Sequence, residues 1–101
     1  MTHGHFAIYR KGDYCSGINI WIGQTGNCFW VGEEHSTNWC TQVCGPEGGT
    51  PSLSELKNAF EEAINRAADA AGIAIPGLVV TALAYYLAAS TLAPPTGVPG
   101  V

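Results

Sequence analysis

Positive charge is scarce in this chain: four Lys and Arg stand against eight Asp and Glu, leaving a formal net charge of −4. That balance excludes nucleic acid as a partner held by phosphate neutralisation, and a membrane-lytic peptide with a Lys/Arg-rich face. Charge of either sign is thin at 12% and stops altogether after Asp69, while 47% of residues are hydrophobic. Neither a disordered acidic tail nor a highly charged coiled coil has such a composition. Also missing are a phosphate-binding Gly-rich loop, an EF-hand loop, a Gly-x-Ser-x-Gly elbow and an Asn-x-Ser/Thr acceptor. There is no Cys-x-x-Cys pair, and no N-terminal run resembles a signal peptide. With 101 residues the chain makes one small domain, without room for a large enzyme core.

What the chain does contain is unevenly placed. All four cysteines and all three tryptophans precede residue 45, and twelve of the thirteen alanines lie from Ala59 onward. The sequence divides into a cysteine- and tryptophan-rich β segment (1–45), a Gly/Pro linker (46–51) that helix and strand both reject, and a helical region (52–101).

In the first segment, residues 6–10 are β-prone and stop at Lys11-Gly12-Asp13. Ile18, Ile20 and Ile22 alternate onto one face of a second strand, and residues 23–27 turn into a third strand at 28–31. A five-residue loop there pairs Ile22 with Cys28, Trp21 with Phe29 and Ile20 with Trp30. Trp21, Trp30 and Trp39 have two readings. They supply the core that a small β unit otherwise lacks, or they form a surface platform for a sugar or a membrane interface.

Cys15, Cys28, Cys40 and Cys44 read as a disulfide framework, for which four cysteines allow three connectivities. Ser36-Thr37-Asn38 offers an N-cap, so Cys40 and Cys44 are expected on one face of a short helix, bridging to the β segment that carries Cys15 or Cys28. Zinc competes for the same atoms, with His3, His5, Cys40 and Cys44 as the candidate ligands. No cofactor is assigned from the sequence.

Residues His5-Phe6-Ala7-Ile8-Tyr9 resemble the His-x-Ala-Ile-Tyr strand of the permuted NlpC/P60 group, which includes lecithin:retinol acyltransferase-like enzymes and related phospholipase/acyltransferases. The resemblance implies a thiol acyltransferase or hydrolase with His5 as general base and a nucleophilic cysteine at the start of a later helix. Asn38-Trp39-Cys40 is the nearest match for that cysteine, and His35 is a further candidate histidine. The group has Asn directly before its Cys, a second histidine soon after the first strand and more chain between the motifs. Some members also end in a hydrophobic anchor.

The strongest local signal follows the linker. Ser52-Leu53-Ser54-Glu55 is a Ser-x-x-Glu capping box, in which two side chains satisfy backbone donors that a helix start leaves open. Leu53, Leu56, Phe60, Ala63, Ile64, Ala67 and Ala71 recur at helical spacing up to Gly72, the natural stop, which predicts a helix over 52–71. Pro76-Gly77 starts a second helix over about 77–93, apolar around nearly its whole circumference, with Leu78, Val79, Val80, Leu83, Tyr85, Tyr86, Leu87 and Leu92 as its large residues. Such a helix is buried in lipid or in protein.

These readings combine into an α+β protein: a small disulfide-stapled antiparallel β head, followed by an α-helical hairpin with an apolar second arm. The function expected is that of a non-enzymatic membrane-associated or self-assembling protein, toxin-like or bacteriocin-like in the pore-forming version, secreted or membrane-associated. Residues 72–93 mediate contact with a membrane, with further copies or with a partner subunit. The alternatives are the thiol enzyme and a small secreted binding module or accessory subunit of a membrane complex.

Overall fold

The computed structural model describes residues 3–9, 18–33 and 39–93. Four strands, β1 (His3–Tyr9), β2 (Ile18–Thr25), β3 (Cys28–Glu33) and β4 (Cys40–Val43), form an antiparallel sheet in sequential order. Two helices follow, α1 (Leu53–Ala71) and α2 (Gly77–Leu92). The α+β class read from the sequence is the observed one.

The hairpin register differs from the sequence expectation. A two-residue turn at Gly26-Asn27 replaces the five-residue loop, so Thr25 pairs with Cys28, Gln24 with Phe29, Ile22 with Val31 and Ile20 with Glu33. Gly26 has φ 63 while Asn27 stays at negative φ, the pattern of a type II′ turn, whose twist matches that of the flanking strands. The register moves by an odd number of residues, and that exchanges the faces of β3. Phe29 and Val31 join Ile20 and Ile22 on the buried face, and Cys28 and Trp30 move to the opposite one.

Residues 40–43 form a strand and not the expected short helix. β4 pairs with β3 through Gly32 and Cys40, Val31 and Thr41, Trp30 and Gln42, and Phe29 and Val43. The Glu33 amide donates to the Trp39 carbonyl at 2.9 Å, which extends the ladder past its last pair. The cap-like Ser36-Thr37-Asn38 lies outside the described residues.

α1 begins as the sequence predicts. Ser52 Oγ accepts from the Glu55 amide at 3.1 Å and Glu55 Oε1 accepts from the Ser52 amide at 2.8 Å. It ends in a Schellman motif at Gly72: the Gly72 amide donates to the Asp69 carbonyl and the Ile73 amide to the Ala68 carbonyl. Between these caps α1 buries Leu56, Ala59, Phe60, Ala63, Ile64, Ala67 and Ala68. One side of the helix packs on β2, β3 and β4, and α2 packs on α1.

The layers therefore run sheet, α1, α2, and a single apolar core passes through all three. Pro51 is buried, and the stretch before it holds a 3-10 turn at Pro46–Gly48 that leads β4 into α1.

Phe60 is fully buried in this core, so Phe60→Ala is expected to lower the unfolding free energy by about 3–5 kcal/mol. Ser52→Ala, which removes one half of the capping box, is expected to cost about 1 kcal/mol. Urea unfolding followed by circular dichroism measures both, and equal losses would contradict this layering.

Candidate functional site

α1 covers one face of the sheet and leaves the other without a described partner element. Residues directly opposite one another in an antiparallel sheet share a face, so the register defines what that outer face presents. Gly23, Trp30 and Gln42 form one cross-strand row. Trp21, Gly32 and Cys40 form the next. Trp21 and Trp30 stand diagonal to each other, each opposite a glycine, and both are half-buried.

Gly32 has a specific role in this arrangement. A Cβ added there would collide with the Cε2, Cζ2 and Nε1 atoms of Trp21, so the indole lies along the sheet across the glycine. Glycine at this position is what lets the ring approach the backbone.

The Cys28–Cys44 disulfide closes one end of this face, with Cα atoms 4.5 Å apart and a sequence separation of 16. It continues the β3–β4 ladder one pair beyond Phe29 and Val43 and sits beside the Gly26-Asn27 turn. The sequence expectation that Cys44 bridges to a β segment holds for this pair. Cys40 is an exposed free thiol on the same strand, separated from Cys44 by roughly 13 Å of extended backbone instead of one helical turn. Cys15 lies outside the described residues.

The alternative catalytic and metal sets are not brought together. β1 pairs His5 with Trp21 and His3 with Gly23, which puts His5 in the same row as Cys40 but three strands away. Strand spacing makes the backbone separation roughly 14 Å, too far for a thiol and its base to share a hydrogen bond. Cys40 also opens a strand, whereas the NlpC/P60 resemblance implies a cysteine opening a helix. His35 lies outside the described residues. Cys44 is committed to the disulfide, which removes a thiolate from the zinc set, and no cluster of metal-ligating side chains occurs among the described residues.

Trp39 separates from the other two tryptophans. It is half-buried against the core, with the Arg66 guanidinium 4.7 Å from its ring centroid in a cation–π contact. Arg66 is also held by Glu62 at 3.1 Å, so the ring, the cation and the carboxylate form a chain along α1.

Glu33 is the residue that the sequence reading passed over. It is fully buried and occupies the core-facing position after Phe29 and Val31 in the β3 alternation. That alternation was its signal: an acidic residue on the beat of a buried face.

The second surface is the outer side of α2. Val80, Ala84, Leu87 and Ala88 are buried and Leu83 and Leu92 are half-buried, whereas Leu78, Val79, Tyr85 and Tyr86 are exposed. The apolar circumference expected from the sequence is therefore only half covered. At 16 residues α2 is about 24 Å long, and no described helix is long and apolar enough to cross a membrane.

Comparison with protein-family models, with curated proteins and with solved structures finds no match.

Replacing Gly32 by Ala is expected to lift the Trp21 indole off the sheet and shift the tryptophan emission spectrum, with the helical signal retained; an unchanged spectrum would contradict the flat packing. Replacing Cys28 and Cys44 together by Ser is expected to lower stability by about 3 kcal/mol, the chain-entropy value for a loop of this size, as read by urea unfolding.

Proposed function

We propose that this is a non-enzymatic, secreted, self-associating protein, in which the outer face of α2 packs on the same face of a second copy. The observation that carries the reading is the uncharged outer surface of α2, with Leu78 at 86%, Tyr86 at 65% and Tyr85 at 54% exposure. An apolar helix covered on one side only leaves a surface that water penalises.

A second copy fits that surface better than lipid does. The face has no charge to complement, so it matches itself across a two-fold axis. Beside Leu78 and Val79 it presents two tyrosines, whose hydroxyls retain hydrogen-bonding capacity that protein interfaces use and hydrocarbon does not. The flank carries charge: Glu61 accepts a hydrogen bond from Thr81 at 3.0 Å and pairs with Lys57 at 3.4 Å. Burial of that flank in acyl chains would desolvate it.

The exposed parts of Leu78, Tyr85 and Tyr86 amount to on the order of 400 Å² per copy, about half of a standard contribution to an interface. The association is accordingly reversible and concentration-dependent. The Cys28–Cys44 disulfide is compatible with an extracellular protein and supports the secreted assignment.

Sedimentation velocity over a wide concentration range tests this. The mass is expected to rise from the monomer value of 10.6 kDa toward twice that, and Tyr86→Glu is expected to hold the chain monomeric with an unchanged circular dichroism spectrum. A wild-type chain that stays monomeric throughout, or one that instead floats with phosphatidylcholine liposomes, would contradict the proposal.

A further inference from the structure

The outer face of the sheet lies at the opposite pole of the layered molecule from the outer face of α2, and self-association does not use it. On β2, β3 and β4 it presents Asn19, Trp21, Gly23, Thr25, Cys28, Trp30, Gly32, Cys40 and Gln42, none of them Lys, Arg, Asp or Glu, and the β1 register adds His3, His5 and Ala7. We propose that this face is a binding site for a neutral saccharide, with the Trp21 and Trp30 indoles stacking on pyranose rings and the Gln42 amide bonding to ring hydroxyls.

Three observations on the face converge on that ligand chemistry. The Trp21 indole is laid along the sheet across Gly32, so its ring offers a broad side and not an edge. A pyranose ring has C–H faces that lie against such a surface, and this apolar contact with a polar rim is what an amphipathic aromatic accommodates. Trp30, two residues from Gly32 along β3, places a second indole roughly 7–8 Å away by backbone register, so the platform extends beyond one ring.

Hydrogen bonding is available at the same level. Gln42 is exposed in the same row as Trp30, and a primary amide offers an acceptor and two donors, which matches adjacent hydroxyl groups. Thr25 is exposed at the turn end of the face.

Charge selects among ligands. With no Lys or Arg on this face, a phosphate or carboxylate finds no permanent cation here, and the net charge of −4 disfavours polyanions further. A neutral ring with hydroxyl groups is the chemistry that remains. Aromatic side chains supplying most of the contact, with a few polar groups fixing orientation, is also the general composition of small-ligand sites.

The site is tested on the full chain by titrating neutral tetrasaccharides of β-glucan, chitin, mannan and galactan type while tryptophan emission and calorimetric heat are read. At least one is expected to give saturable binding. Trp30→Ala is expected to weaken it about tenfold or more. Gln42→Ala alters an exposed side chain with no role in the core, and is expected to weaken it about fivefold, the equivalent of one hydrogen bond. Tyr86→Glu, on the opposite pole, is expected to leave saccharide binding unchanged, so loss of self-association and loss of this site are read separately. Saturable binding to none of the four, or binding unaffected by both the Trp30 and the Gln42 substitutions, would overturn the proposal.

Discussion

The fold depends on burying α1 from two directions at once. A four-stranded sheet hides one apolar face and α2 hides one stripe, and both do so against the same helix, since α1 packs on β2, β3 and β4 and also carries α2. Four alanines, Ala59, Ala63, Ala67 and Ala68, make up more than half of the buried positions of α1. Small side chains let neighbouring elements approach a helix closely, while Leu56, Phe60 and Ile64 fill the volume that remains. A helix with only one apolar stripe could not join a sheet to a second helix in this way. The capping box and the Schellman motif hold both ends of α1 independently of the packing, which fixes where the central layer starts and stops.

A stack of this kind has two outer surfaces. The sheet turns Ile20, Ile22, Phe29 and Val31 inward and leaves Trp21, Trp30 and Gln42 on its other side; α2 turns Val80, Ala84 and Leu87 inward and leaves Leu78, Tyr85 and Tyr86 outside. These outward residues are uncharged, whereas the ion pairs found among the described residues lie along α1, where Lys57 meets Glu61 and Arg66 meets Glu62. Among the described residues, charge is concentrated on α1, the middle layer. On the functions proposed for the two poles, a pair of copies would present two binding sites, and linked sites gain avidity without any new contact.

The helices were legible in the sequence because their signals are local. Ser52, Glu55 and Gly72 act within a turn of themselves, and α1 runs between them as read. The sheet was less legible because register depends on which of several glycines makes the turn. Gly23 and Gly26 bracket a plausible five-residue loop, but a type II′ turn needs only Gly26 and Asn27, and the odd shift moves Phe29 and Trp30 to opposite faces. β4 was misread because Ser36-Thr37-Asn38 carries cap chemistry, while the pairing of Gly32 with Cys40 is a long-range choice that local propensity does not encode. For α2, an uncharged circumference looks the same whether it is covered wholly or on one side, and composition cannot say which. The candidate thiol site failed for a geometric reason: His5 and Cys40 share a row, but two strands intervene.

Native-state hydrogen exchange on the full chain tests the central claim most directly, since it reads the stability of each layer separately. If α1 is the layer on which the others depend, amides from Leu56 to Ala68 exchange only through global unfolding, and α2 is never more protected than α1. Protection that persists in α2 or in the paired amides of β2 and β3 while the middle of α1 exchanges freely would contradict the account.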